Sequence, residues 1–202
     1  MQGKDMLYEI PRNRLDEMAD ASADAFLGAD DPIGNFMFAD EPDATTLKKR
    51  FFRSLVTSCS PKAVRQGLST DLEAVSLWFP PGMDHSEDTD PDPFRVEDFK
   101  CPQTMARMRA VNDVIAALTA LLGQEPQWYL HLVAVRPQFR GLGYSSQMIR
   151  PMLTRAGEEG LPCTLITQSS ANVQKYEHWG FKAVSEMAVS GSLEKFYSMR
   201  KA

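Results

Sequence analysis

Val135-Arg136-Pro137-Gln138-Phe139-Arg140-Gly141-Leu142-Gly143-Tyr144-Ser145-Ser146 joins an apolar run, Trp128 to Val135, to a segment with helical spacing that starts near Leu142. Two glycines one residue apart at such a junction let the main chain adopt unusual dihedrals and approach a ligand closely. The free N–H groups of a first helical turn, together with the helix dipole, favour negative charge there. The stretch therefore predicts a phosphate or pyrophosphate cradle. Its plainer explanation is a tight strand-to-helix turn that uses glycine for geometry alone.

Three phosphate cradles compete for this pattern. A P-loop needs Gly, four residues and then Gly-Lys-Ser/Thr, and that spacing is absent. A dinucleotide fingerprint needs a Gly or Ala three residues past Gly143, where Ser146 stands, and an acidic residue about 20 residues on, which Glu158 and Glu159 precede. The third pattern is Gln/Arg-x-x-Gly-x-Gly/Ala after a Val-x-Val strand. Val133, Val135, Gln138, Gly141 and Gly143 fit it.

A second segment lies one helix, one turn and one strand further on. It reads Ser170-Ala171-Asn172-Val173-Gln174-Lys175-Tyr176-Glu177-His178-Trp179-Gly180-Phe181, and Leu161 to Thr167 is the intervening strand. Together the two segments resemble motifs A and B of the GNAT superfamily of acetyl-CoA-dependent N-acetyltransferases. The resemblance is nearest the puromycin N-acetyltransferase-like branch. It rests on Trp128-Tyr129-Leu130, the Gly141-Leu142-Gly143 loop, Gly160-Leu161-Pro162, and Asn172 through Tyr176 to Gly180-Phe181, and covers residues 126–182. The first 100 residues match only in element order.

The resemblance implies an α/β (α+β) GNAT fold with a mixed, mostly antiparallel sheet flanked by helices. It implies one domain over 1–202, with 1–125 the acceptor side and 126–202 the acetyl-CoA side. Acetyl-CoA would be the co-substrate, with no metal, and a small primary amine the acceptor; a homodimer is compatible with it. Main-chain N–H groups of Phe139, Arg140, Gly141, Leu142, Gly143, Tyr144 and Ser145, following Gln138, would surround the pyrophosphate of CoA. The strand Val133-Ala134-Val135 would pair with the pantetheine arm, Asn172 would contact the same ligand, and Tyr176 would lie by the sulfur as general acid.

Acetyl transfer from a thioester to an amine needs a neutral amine, a stabilised oxyanion and a protonated leaving thiolate. A phenol such as that of Tyr176 can donate a proton to a thiolate; its structural alternative is a half-buried anchor for its helix. Asn172 is equally suited to cap that helix. Arg140 can add charge to a phosphate or serve as a surface arginine. Many relatives carry a Glu on the central strand, and this chain has none there. Tyr129 occupies about that register, and His131 follows two residues on, hence on the same face. Imidazole suits proton removal near neutral pH, although a single histidine is more often structural. Ile166 stands where the puromycin-like branch tends to carry Glu. Those departures keep two other readings in view: a CoA-binding sensor or interaction module, and a protein or peptide acetyltransferase.

Composition sets wide bounds. The chain has 202 residues, 43% hydrophobic, and a formal net charge of −5. That suits one domain with a good-sized core. It argues against nucleic acid as main partner. No apolar run is long enough for a membrane span, and the first residues lack a signal core. Cys59, Cys101 and Cys163 are far apart, which argues for a reducing, cytoplasmic setting and against a zinc site.

The remaining chain reads as strand Leu7–Ile10, a helix on Leu15, Met18, Ser22 and Phe26 that runs up to Gly28, a turn-rich stretch over 30–42, and a helix on Leu47, Phe51 and Leu55. A hairpin follows around Ser69-Thr70-Asp71. Residues 84–98 form an acidic, Pro-containing connection, either a solvated loop or a lid. A helix from Met105 to Leu122 leads to the central strand Trp128–Val135. The last elements are a helix carrying Pro151, strand Cys163–Thr167, helix Ala171–His178 and a hairpin around Ser190-Gly191-Ser192.

Overall fold

The computed structural model describes residues 7–27, 31–83, 92–123 and 125–202. In chain order the elements are β1 (Tyr8–Glu9), α1 (Leu15–Phe26), α2 (Pro32–Met37), α3 (Ala44–Thr57), β2 (Val64–Gly67), β3 (Ala74–Phe79), α4 (Thr104–Leu121), β4 (Trp128–Val135), α5 (Tyr144–Glu158), β5 (Cys163–Gln168), α6 (Ser170–His178), β6 (Lys182–Ala188) and β7 (Lys195–Lys201). The strands form one sheet in the order β1-β2-β3-β4-β5-β7-β6. All neighbours run antiparallel except β4 and β5.

A register shift in β4 between Leu130 and Leu132 changes the phase of its alternation, so that even-numbered side chains before and after it enter different cores. Trp128 and Leu130 pack with Ile149 and Met152 of α5, Leu165 of β5 and Phe181. Leu132 and Ala134 pack with Met18 of α1 and Phe52 and Val56 of α3. On the second face, further along the sheet, a third core joins Met37 of α2, Leu47 of α3, and Met108, Val111 and Leu118 of α4 to Phe196 of β7. The sheet is thus covered by α5 and α6 on one side and by α1 to α4 on the other.

Two segments differ from the sequence reading. The stretch over 30–42 is not all turn: Pro32–Met37 is a helix, because Asp31 accepts a hydrogen bond from the Gly34 N–H and Pro32 occupies the first helical position. The acidic connection 84–98 falls partly outside the described residues. Its described end, from Asp92, is largely exposed but tied to α3. Arg50 of α3 binds Asp92 at 2.8 Å and Asp98 at 2.9 Å, and its guanidinium lies 4.5 Å from the centre of the Phe94 ring. Pro151 sits inside α5 without ending it.

A buried carboxylate fixes the start of α4. Glu41 accepts hydrogen bonds from the Thr104 hydroxyl (2.6 Å) and from the N–H groups of Lys100 and Cys101 (3.0 Å each). Burial opposes its charge most strongly, yet these donors together hold its carboxyl below the usual carboxylate range. A carboxyl depressed in the folded state stabilises above its unfolded value and loses that contribution as the pH falls through the folded one. We expect Glu41→Ala to lower unfolding free energy at pH 7 by about 2 kcal/mol, the cost of stranding buried donors. Denaturant melts at pH 7 and pH 3 check this: the gap between wild type and Glu41→Ala should shrink at the lower pH. An equal gap at both would show that the charge of Glu41 is immaterial.

Candidate functional site

The strand–turn–helix unit falls where the sequence indicates, with β4 covering Trp128–Val135. After Arg136, one 3-10 turn spans Pro137–Phe139. Gly141 and Gly143 have φ of 80° and 75°, the left-handed region that costs glycine little, and a Cβ at either would meet open space. Gly143 caps α5. The N–H groups of Phe139 and Arg140 close the 3-10 turn, while those of Ser146 and Gln147 turn back to the Gly143 carbonyl. Among the described residues, no hydrogen bond uses the N–H of Gly141, Leu142, Gly143, Tyr144 or Ser145. These are the orphan donors of a helix start and of the loop before it. Phe139 and Tyr144 stack across the turn with ring centres 6.1 Å apart.

β4 and β5 pair only at Trp128–Cys163, Tyr129–Thr164 and Leu130–Leu165. β5 continues to Gln168 on its other partner, β7, and β4 continues to Val135 on β3. The two parallel strands therefore part beyond Leu130, and the edge carrying Val133, Ala134 and Val135 faces a gap that opens toward the cradle. A bulge sits at the same point. Leu77 of β3 opposes Leu132, while its neighbour Trp78 opposes Leu130, so His131 has no opposite residue. A bulge of this kind bends a strand and re-aims a side chain.

The aromatic groups at the parting point are close. The His131 ring stacks on Phe79 at 4.5 Å, and Tyr129 stacks on the same Phe79 at 5.8 Å. His131 and Tyr129 thus share a face, as their spacing predicts. Tyr176 enters from α6, its ring held edge-on by Trp179 (5.6 Å) and Phe181 (5.8 Å). Burial raises the Tyr176 hydroxyl well above the usual phenol range, and the nearby Tyr129 adds to that; burial alone raises Tyr129. Both phenols stay protonated at neutral pH, which suits a donor and disfavours a base. The anchoring and proton-donating readings of Tyr176 are compatible, since the packing fixes the ring and leaves its hydroxyl a donor.

Other expected residues have additional engagements. The Arg140 guanidinium donates to the Ala25 carbonyl at 2.7 Å, tying the cradle to the end of α1. Asn172 does not cap its helix. Ser169 does so, accepting from the Asn172 N–H at 3.4 Å, and the Asn172 amide donates to the Gln168 carbonyl at 3.0 Å. Gln138 is exposed. Ile166 packs against the third core.

The sequence reading overlooked Ser169 and the pair Gln168–Asp31. Ser169 has φ 73°, a strained conformation for a residue with a Cβ, and it joins β5 to α6 beside the gap. The Gln168 amide donates to buried Asp31 at 3.3 Å, tying the end of β5 to the start of α2. Asp31-Pro32 was a legible helix start; the strain at Ser169 had no sequence signal.

Comparison with known proteins agrees with this geometry. The family model described as Acetyltransferase (GNAT) family matches residues 69–181. Among solved structures, one from Corynebacterium glutamicum, described as histone acetyltransferase HPA2 and related acetyltransferase, is 17% identical. It covers 97% of this chain and 94% of its own, with a TM-score of 0.64. The polyamine N-acetyltransferase of Drosophila melanogaster is 14% identical over 96% of this chain and 98% of its own, with a TM-score of 0.62. Arylalkylamine N-acetyltransferase 2 from Aedes aegypti is 14% identical over 98% of both chains, with a TM-score of 0.59. At these identities the structures show a shared fold. With the family model spanning more than half of the sequence, the chain belongs to the GNAT acetyltransferase family.

Proposed function

We propose that this chain transfers the acetyl group of acetyl-CoA to a primary amine of a small molecule by direct attack. The observation that carries the reading is the gap between β4 and β5 leading into a turn of unpaired N–H groups. Acetyl-CoA supplies an activated acetyl thioester at the end of a long arm that ends in a pyrophosphate. The residues present fit it: the N–H groups from Gly141 to Ser145 can hold the pyrophosphate, and the open edge at Val133 to Val135 can receive the arm as an added strand.

The chain's own groups divide the proton work. Tyr176, kept neutral, donates to the departing thiolate. His131, re-aimed by the bulge, takes the proton from the amine, directly or through water. Tyr129 remains a hydrogen-bond donor at the parting point and cannot replace the missing strand Glu as base. Asn172 supports the ligand from α6, and Arg140 adds positive charge at the rim while holding α1. The fold is shared with proteins named as arylalkylamine and polyamine N-acetyltransferases, which supports a small amine as acceptor. The puromycin-like resemblance does not extend to the acceptor side, where Ile166 replaces a carboxylate. That same departure favours a second reading, a CoA-binding module without turnover. Tight acetyl-CoA binding with no thiol release over a panel of amines, antibiotics and peptides would select it, and release with peptides alone would select a protein acetyltransferase.

Among the described residues no helix is long and apolar enough to cross a membrane. The three cysteines are buried and form no disulfide among the described residues.

Two variants test the assignment. Tyr176→Phe should lower kcat by about a hundredfold, the lower end of general-acid contributions, with acetyl-CoA affinity kept; full turnover would remove Tyr176 from proton transfer. Gly143→Ala places a Cβ on a left-handed backbone at the cap of α5. Calorimetric titration should show acetyl-CoA binding weakened about tenfold, the size of a backbone misfit near 1.4 kcal/mol. Unchanged affinity would move the pyrophosphate elsewhere.

A further inference from the structure

A single residue joins β5 to α6. β5 runs to Gln168, which still pairs with Phe196 of β7, and α6 begins at Ser170. Strand-to-helix connections commonly take about two to six residues. The one from β4 to α5 runs from Arg136 to Gly143 and gives its positive φ values to Gly141 and Gly143. Here Ser169 makes the whole turn alone, with φ 73° and ψ 142°. Glycine would adopt that backbone with little strain. Glycine would also lack the hydroxyl oxygen that accepts from the Asn172 N–H at 3.4 Å.

Both sides of Ser169 are pinned, as a strained residue requires. Upstream, the Gln168 side chain donates to buried Asp31 at 3.3 Å. Downstream, the Asn172 amide donates back to the Gln168 carbonyl at 3.0 Å, and the Val173 N–H donates to the Ser169 carbonyl at 3.3 Å.

The rotation of α6 depends on this joint. The helix has nine residues, none of them fully buried, so an apolar stripe does little to fix its phase. Its far end is held by the Trp179 indole, which donates to the Ser146 hydroxyl of α5 at 3.2 Å, and by the Phe181 N–H, which donates to the Tyr176 carbonyl at 3.2 Å. Its near end is held by Ser169. Asn172 and Tyr176 stand four residues apart and therefore share a face, whose direction is set by the first turn.

We infer that Ser169 is a positioning residue for the proposed acetyl transfer: its left-handed backbone swings α6 across the end of β5, and its hydroxyl locks the rotation that turns Asn172 and Tyr176 toward the gap. It acts only through those two side chains. The inference rests on the reading of Tyr176 as proton donor and of Asn172 as a ligand contact.

Steady-state thiol release tests it with Ser169→Gly, Ser169→Asn, Tyr176→Phe and the pair Ser169→Gly/Tyr176→Phe, with melting temperature as the control for folding. Glycine relaxes the backbone and removes the acceptor, whereas asparagine tolerates positive φ and carries a capping oxygen. Ser169→Gly should lower kcat about tenfold, the size of a small misplacement of a catalytic group, and Ser169→Asn should keep most of the wild-type rate. In the Tyr176→Phe background Ser169→Gly should cost nothing further, because residues that act as a unit are not additive. Unchanged kcat in Ser169→Gly, an equal loss in Ser169→Asn, or losses that multiply in the double variant overturn the proposal. Full turnover by Tyr176→Phe defeats the proton-donor reading instead, and wild type that turns over no amine defeats the transfer reading. In either case an amide NMR titration with acetyl-CoA decides the joint: shifts at 172–176 that are lost in Ser169→Gly and kept in Ser169→Asn support it, and shifts alike in all three proteins, or absent from all, overturn it.

Discussion

Everything at the site depends on two parallel strands that stop pairing. β4 and β5 hold together for three residue pairs and then separate, although both continue. A buried sheet does not leave strand edges unpaired without cost, since each unsatisfied N–H or C=O away from water is worth about as much as a lost hydrogen bond. The molecule keeps the parting open by engaging each strand on its outer side, β4 with β3 and β5 with β7. It places a bulge at His131, where β4 turns away. Helices on both faces bury the rest of the sheet, so the open edge is confined to one end, above the start of α5.

That confinement links the fold to the chemistry. The central strand runs into the glycine turn, so a ligand lying along the open edge meets unpaired N–H groups at its anionic end. Tyr176 reaches the parting point from one side of the sheet, while Tyr129 and His131 sit against Phe79. Burial keeps both phenols neutral, and in the proposed mechanism donation falls to tyrosine and proton removal to the imidazole. Remote contacts keep the frame in register: Arg140 to Ala25, Gln168 to Asp31, and Glu41 at the head of α4.

The strand–turn–helix unit and the segment 170–181 were largely legible in the sequence, for a physical reason. Glycines at fixed offsets, a Val-x-Val strand and an Asn-to-Tyr helix face encode backbone geometry directly, and Trp128–Val135 emerges with its sequence boundaries. The rest was less legible because it is built from tertiary contacts. The anchoring of Asp92, Phe94 and Asp98 by Arg50 joins residues more than 40 apart and ties an exposed acidic stretch to α3. The bulge at His131 comes from a register slip against β3, which the local alternation of β4 does not reveal. Ser169 was invisible because nothing in its neighbours announces a left-handed serine.

The most direct test of the central claim is an amide NMR titration of the full chain with acetyl-CoA. The account predicts saturable shifts concentrated at residues 133–145 and 172–176, with the N–H groups of Gly141 to Ser145 moving most as they gain acceptors. Saturable binding whose shifts fall elsewhere, leaving those N–H groups unmoved, would contradict it.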